Sequence, residues 1–85
     1  MVTAVADDET PHYDPRGPEL VYMLVADDVA AKIAAGTLAP GARLMGEAEM
    51  AEHYHVAKMT ARRAVRELRE RHLVRTVVGK GSYVL

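Results

Sequence analysis

The segment from residue 46 to residue 71 reads GEAEMAEHYHVAKMTARRAVRELRER and carries the strongest structural pattern of the chain. Its first part, residues 47–54, predicts a two-turn helix with Gly46 at its cap. Residues 55–57 leave room only for a tight turn, and a longer helix is predicted over about residues 58–71. A short helix, a tight turn and a longer helix together indicate a helix-turn-helix.

The helix predicted over residues 58–71 has two contrasting sides. With successive residues about 100° apart, its apolar residues fall on one stripe that must pack on other helices. This apolar stripe consists of Ala61, Ala64, Val65 and Leu68. A basic band about 80° wide lies on the other side and consists of Lys58, Arg62, Arg66 and Arg69. Because a helix is about as wide as the major groove of B-DNA, the basic band predicts contact with duplex DNA.

The first turns of this helix are expected to supply the residues that read bases. Side chains near the N-terminus of such a helix reach base edges when the preceding helix crosses the DNA backbone. The planar guanidinium of arginine can donate two hydrogen bonds to guanine, which discriminates between bases by about 1–3 kcal/mol. The candidate base readers are Met59, Arg62 and Arg63.

Other residues are expected to contact the sugar-phosphate backbone and to fix the register of the protein on DNA. The free N–H groups at the start of the helix that begins with Glu47 suit an anion. The candidate side chains for phosphate are Arg43, Lys58, Thr60 and Arg66.

The rest of the chain predicts one more helix and one hairpin. Apolar residues recur at helical spacing from Leu20, and Gly36 follows where a left-handed cap would end the helix. Pro40-Gly41 predicts a turn into a short extended piece around Arg43-Leu44. Residues 73–78 predict a strand, 79–81 a turn and 82–85 the partner strand.

The predicted fold is therefore mainly α with a small β hairpin, a three-helix winged helix-turn-helix in which the hairpin is the wing. On the wing, Arg75 and Lys80 are expected to flank the DNA-contacting helix. Gly81 would let the backbone of Lys80 approach the DNA edge closely. The predicted domain spans residues 20–85. Residues 1–19, which are acidic, rich in proline and without a helical or strand period, are predicted to form a flexible arm.

Charge is distributed unevenly along the chain, although the net charge is only −1. Residues 1–42 hold two basic and seven acidic groups, whereas residues 57–85 hold eight basic and two acidic groups. One basic face beside an acidic remainder is typical of a protein that meets phosphate on one side. The sequence thus favours double-stranded DNA as the partner.

Several classes of function are disfavoured by composition. The chain is too short for a catalytic cleft, so no enzyme activity is expected. The absence of cysteine removes thiolate zinc sites and cysteine nucleophiles, and His53 and His55 are too close for a helical metal pair. No cofactor and no metal are predicted. Without a membrane span or signal peptide in the sequence, a cytoplasmic protein is expected.

Simpler interpretations compete with the DNA-contact roles. Arg63 with Glu67, and Arg66 with Glu70, have the spacing of surface ion pairs that only support a helix. Met59 could pack against the turn as a staple. On a larger scale, the domain could be a winged-helix module that contacts a partner protein and has no specific DNA site.

Three segments together resemble the DNA-binding domain of the GntR family. They are Ile33-Ala-Ala-Gly36, Pro40-Gly-Ala-Arg-Leu44 and Thr60-Ala-Arg-Arg-Ala-Val65, and the resemblance extends over residues 20–85. It implies a three-helix winged domain of a bacterial transcription regulator that binds operator DNA, usually as a dimer. The DNA contacts that it implies fall on Lys58, Thr60 and Arg62.

The chain departs from the family pattern at several positions. Gly46 and Ala57 stand where members commonly carry a capping serine, so side-chain caps are expected to be lost. Ala48 stands at a common arginine position, Arg63 at a common glutamate, and His72 at the glycine before the wing. We expect Arg63 to offset part of the lost positive charge.

The predicted wing extends to Leu85, the last residue of the sequence, so we expect this chain to lack the C-terminal effector-binding and dimerising domain that the resemblance implies. We therefore expect that no small molecule releases this chain from DNA. A homodimer is one expected state, formed through the first helix, the arm or the DNA itself.

Overall fold

The computed structural model describes the backbone from Pro18 to Leu85 and the side chains from Val21 onward. Three helices precede one hairpin, as predicted. The elements are α1 (Pro18–Ala34), α2 (Glu47–Tyr54), α3 (Lys58–Glu70), β1 (Val74–Val77) and β2 (Gly81–Val84). The mainly α fold with a small hairpin is confirmed. Residues 1–17 of the predicted acidic arm lie outside the described residues.

α1 begins two residues earlier than the apolar pattern predicted, at Pro18 instead of Leu20. Proline suits the first position of a helix because its missing N–H would have no partner there and its φ is already helical. At the other end, Gly36 has a φ of 82°, and its N–H bonds to the carbonyl of Ile33 at 3.1 Å. This is the left-handed stop that the sequence predicted. No helix between residues 18 and 85 is long and apolar enough to cross a membrane.

α2 has the predicted bounds, and α3 ends one residue early because Arg71 takes the cap position. Both helices end in a left-handed residue that is not glycine. His55 has a φ of 57° after α2, and His72 has a φ of 61° after α3. The tight turns that follow are closed by backbone bonds from Val56 to Ala51 and from Leu73 to Leu68. Residues other than glycine rarely adopt this left-handed backbone conformation, so both histidines carry local strain.

The core lies where the three helices meet the base of the wing. The apolar stripe of α3 packs against α1 and α2, and Met50 and Leu68 are fully buried. The buried residues of this cluster are Val25, Ala26, Val29, Leu44, Met50, Ala61, Ala64, Val65, Leu68 and Val74. Because the apolar stripe is buried in the core, the basic band on the other side of α3 faces solvent.

The strands of the wing differ by one residue from their predicted bounds: β1 is shorter by one residue at each end, and β2 begins and ends one residue earlier. Lys80 donates its backbone N–H to the carbonyl of Val77, so residues 78–80 form the turn. Gly81, predicted as part of the turn, opens β2 and pairs with Val77. β1 and β2 are antiparallel, with Val74 opposite Val84 and Arg75 opposite Tyr83.

The extended piece before α2 joins the wing as a third strand-like segment. Arg43 forms a bridge with Tyr83, and the N–H of Leu44 donates to the carbonyl of Ser82 at 2.8 Å. The N–H of Val84 donates to the carbonyl of Ala42 at 2.9 Å. The sequence predicted an extended conformation here but not this pairing. The pairing attaches the wing to the start of α2.

Candidate nucleic-acid interface

The exposed basic band of α3 forms the centre of the candidate interface. Lys58, Met59, Arg62 and Arg66 are exposed, and Thr60 and Arg63 are half-buried. No acidic group of residues 21–85 pairs with Lys58 or Arg66. At these two positions the basic band therefore presents positive charge that the described part of the chain does not neutralise.

Arg62 is held by an acidic residue that local spacing could not identify. Its Nε donates to both carboxylate oxygens of Glu47, at 3.1 and 3.3 Å. The sequence offered no acid four residues away on α3, and the partner comes instead from the first turn of α2. Since Nε makes this contact, the two terminal nitrogens of the guanidinium remain the groups able to meet guanine.

Met59 lies beside Arg62 and is 61% exposed. Its sulfur is 3.8 Å from one terminal nitrogen of Arg62. Such exposure does not fit the alternative in which Met59 packs as a staple against the turn. The residue is instead available on the outer surface, next to the arginine predicted to read bases.

Neither of the ion pairs offered as a simpler interpretation of α3 forms among residues 21–85. Glu67 accepts a hydrogen bond from Nε of Arg71 at 2.9 Å, not from Arg63. The guanidinium of Arg63 lies 4.2 Å from the centre of the Tyr22 ring on α1. Tyr22 is thus a candidate interface residue that the sequence patterns did not identify.

The wing brings three predicted residues together beside the start of α2. Nε of Arg43 donates to the carbonyl of Lys80 at 3.3 Å, and the side chain of Arg43 lies against Gly81. A Cβ on Gly81 would lie 3.0 Å from Nε of Arg43, so that flexible side chain would have to shift, and the φ of 123° is one that residues other than glycine rarely adopt. Arg43, Lys80 and Gly81 therefore form one patch at the tip of the wing.

Arg75 lies on the same face of the wing as this patch. Residues directly opposite one another in antiparallel strands share a face, and Tyr83 is opposite both Arg75 and Arg43. The other face is linked to α3, where Arg69 donates to the hydroxyl of Thr76 at 3.0 Å. Arg69, a member of the basic band, thus helps to hold the wing against α3.

The starts of α2 and α3 are without side-chain caps, as the departures at Gly46 and Ala57 predicted. The first N–H groups of a helix have no partner within the helix, and they attract anions. The N–H groups around Glu47 are thus suited to phosphate, as predicted, although the carboxylate of Glu47 itself is engaged with Arg62.

Asp27 and Asp28 of α1 are paired away from the basic band. The Tyr54 hydroxyl donates to Asp28 at 2.7 Å and Lys32 donates to the same oxygen at 3.0 Å. The Tyr54 hydrogen bond, followed by that of Lys32, lowers the pKa of Asp28. Asp27 accepts from Arg71 at 2.9 Å, and hydrogen bonds to Glu67 and then Asp27 raise the pKa of Arg71.

Comparison with known proteins agrees with this geometry. Residues 21–84 match the family described as bacterial regulatory proteins, gntR family. The chain is 34% identical over 68 residues to the mannosyl-D-glycerate transport/metabolism system repressor MngR of Escherichia coli K12. That match covers 80% of this chain but only 28% of the repressor.

Solved structures give the same result. A GntR family transcriptional regulator from Listeria monocytogenes is 30% identical with a TM-score of 0.74, over 85% of this chain and 61% of that one. The AraR DNA-binding domain in complex with operator ORR3 is 26% identical with a TM-score of 0.73, over 76% of this chain and 78% of that one. The chain belongs to the gntR family of bacterial regulatory proteins.

Proposed function

We propose that this chain binds double-stranded DNA in a sequence-specific manner, as the DNA-binding part of a bacterial transcription regulator acting in the cytoplasm. The observation that carries the proposal is the exposed basic band of α3, which contacts the start of α2 at Arg62 and the wing at Arg69. The similarity to an AraR domain that was solved with operator DNA supports it. A regulator of this kind is a binding protein and not an enzyme.

In the proposed complex, α3 enters the major groove and its first turns face the base edges. Arg62 reads a guanine through the two nitrogens that Glu47 leaves free, and Met59 contacts a base beside it. Lys58, Thr60 and Arg66 contact phosphates along the groove.

The wing is proposed to follow the neighbouring backbone. Its exposed tip carries Lys80 and is attached to the extended segment before α2 through the hydrogen bond from Arg43. Arg43 and Arg75 lie on the face of the wing opposite the one linked to α3, and they would add positive charge where the wing meets the DNA backbone. Gly81 keeps this tip narrow enough to approach the minor groove.

The test is selection from a randomised duplex pool, followed by titration of the enriched duplex and a scrambled duplex at two salt concentrations. We expect the enriched duplex to bind at least about 1000-fold more tightly and to keep its advantage at the higher salt. If both duplexes bind weakly and lose affinity equally with salt, the basic band is only an electrostatic surface. That result would contradict the proposal.

Lys32→Ala provides a matched control for the basic band. It removes one positive charge, as Lys58→Ala does, but Lys32 lies at the seam of α1 and α2 and contacts Tyr54. We expect Lys58→Ala to weaken binding to all duplexes and Lys32→Ala to leave it nearly unchanged.

Homodimerisation stays a prediction. It is tested by sedimentation of the chain alone and with the enriched duplex. Two chains bound to a duplex whose half-sites are separated by about one helical turn, 10–10.5 base pairs, would support it. One chain per duplex and an asymmetric enriched motif would contradict it.

A further inference from the structure

Neighbouring arginines of α3 are held on opposite flanks of the helix. Arg62 donates a hydrogen bond to Glu47 of α2, while the guanidinium carbon of Arg63 lies over the ring of Tyr22 in α1. Successive residues of a helix point about 100° apart, so these two contacts draw the guanidinium groups away from each other. The two arginines therefore cannot occupy the same position in a groove.

The side of α3 that meets the groove is indicated by its neighbours. The start of α2 meets the basic band at Arg62, and the wing meets it at Arg69 through Thr76. Arg63 lies outside this band, on the side of α1. It borders a polar recess between α1 and α3 whose lining residues are Tyr22, Arg63, Arg66, Glu67 and Glu70.

We infer that Arg63 contacts a DNA phosphate at the edge of the groove, and that Tyr22 is the positioning residue that holds it there. The inference rests on the proposed function and changes the role that the sequence predicted for Arg63, which was base reading. A helix about 10–12 Å in diameter fills a groove about 12 Å wide, so a side chain directed to its flank meets the backbone and not the base edges.

Stacking on Tyr22 suits a guanidinium that binds phosphate. The guanidinium carbon lies over the ring, 4.2 Å from its centre, and the N–H donors of arginine project within the plane of the group, where a phosphate can accept two hydrogen bonds. Glu67, the nearest acidic competitor along the helix, is already engaged by Arg71 at 2.9 Å. The stack therefore restricts the orientation of Arg63 without occupying its donors.

The experiment compares Arg63→Ala with Arg62→Ala in titrations over a range of salt, with base preference measured by selection. For Arg63→Ala we expect affinity to fall equally for enriched and scrambled duplexes, with an unchanged preferred sequence. The slope of log affinity against log salt should become shallower by about 0.9 for each bound chain. A changed preference at one base pair with an unchanged slope would make Arg63 a base reader and overturn the inference.

Variants of Tyr22 test positioning separately. Tyr22→Phe keeps the ring and should bind like the wild type, whereas Tyr22→Leu should reproduce part of the Arg63→Ala loss. In the double variant Tyr22→Leu with Arg63→Ala, the loss should be no greater than in Arg63→Ala alone, because the two residues act through one contact. Independent, additive losses would overturn the positioning role. Thermal unfolding of each variant confirms that the domain is folded.

Arg63→Lys gives a further readout that a purely structural role would not change. Lysine keeps the charge but cannot stack as a planar group, so the salt slope should remain while affinity falls severalfold. If the wild type selects a motif and Arg62→Ala abolishes it while all Arg63 variants bind normally, the inference fails and the proposed function stands. If the wild type binds no duplex, both fail.

Discussion

On the α1 side of the molecule, the two acidic side chains of residues 21–34 are matched by cationic partners. Asp28 accepts hydrogen bonds from Tyr54 and Lys32, and Asp27 accepts one from Arg71. On the outer side of α3, Lys58 and Arg66 have no acidic partner among residues 21–85. On the α1 side, ion pairs within the domain neutralise the charges. On the outer side of α3, the positive charges repel one another, and bound DNA phosphates can relieve this repulsion with release of counterions.

The largest expected effect separates the buried side of α3 from its exposed side. Leu68 is fully buried, so Leu68→Ala should lower the free energy of unfolding by about 2–5 kcal/mol. Arg66→Ala, on the exposed side of the same helix, should change it by less than about 0.5 kcal/mol. Urea unfolding followed by circular dichroism measures both. Equal losses would mean that the two sides of α3 do not have separate roles.

The next effect concerns Arg62, the one member of the basic band with an acidic partner among residues 21–85. Arg62→Ala should reduce affinity for the enriched duplex by about 1–3 kcal/mol and relax the preference at one base pair. Titration of duplexes with each substitution at that position measures the change. A loss that is the same for every sequence would assign Arg62 to the phosphate backbone.

A smaller effect is expected at the turns that end α2 and α3. His72→Gly should raise the free energy of unfolding by about 0.5–1 kcal/mol, because glycine adopts the observed φ of 61° without the cost of a Cβ. His55→Gly, at a φ of 57°, should act in the same direction. His72→Ala is the matched control, since it removes the imidazole and keeps the Cβ. If His72→Ala stabilises as much as His72→Gly, the imidazole and not the backbone is the source of strain.

The smallest effect is the pH dependence of stability that comes from Asp28 on the α1 side. The folded pKa of Asp28 is lowered, so its contribution to stability is present above the unfolded pKa of about 3.9 and is lost as pH falls through the folded value. Tyr54→Phe should raise the pKa of Asp28 and move this loss to higher pH. The carboxyl resonance of Asp28 in an NMR titration reports it. Because the Asp28 side chain is exposed, its contribution to the free energy of unfolding is at most about 1 kcal/mol. An unchanged pKa of Asp28 in Tyr54→Phe would contradict the assigned cause.

Local sequence patterns predicted much of this molecule. The bounds of α2 and the apolar stripe of α3 were confirmed, because helical periodicity and the short gap between the helices depend on neighbouring residues alone. The start of α1 was predicted two residues late, since Pro18 belongs to the first turn but contributes nothing to the apolar period. Gly81 was assigned to the turn because a glycine pair suggests one, whereas the bond from Lys80 to Val77 closes the turn one residue earlier.

The order of amino acids determined which residues carry charge. It also determined where the helices lie and which side of α3 enters the core, because helical periodicity depends on residues a few positions apart. The partners of the interface residues did not follow from it. Glu47 with Arg62, Tyr22 with Arg63, and Arg43 with Lys80 join residues 15 to 41 positions apart. Such pairs depend on the angles and distances at which α1, α2, α3 and the wing pack, and these are settled only when the common core forms.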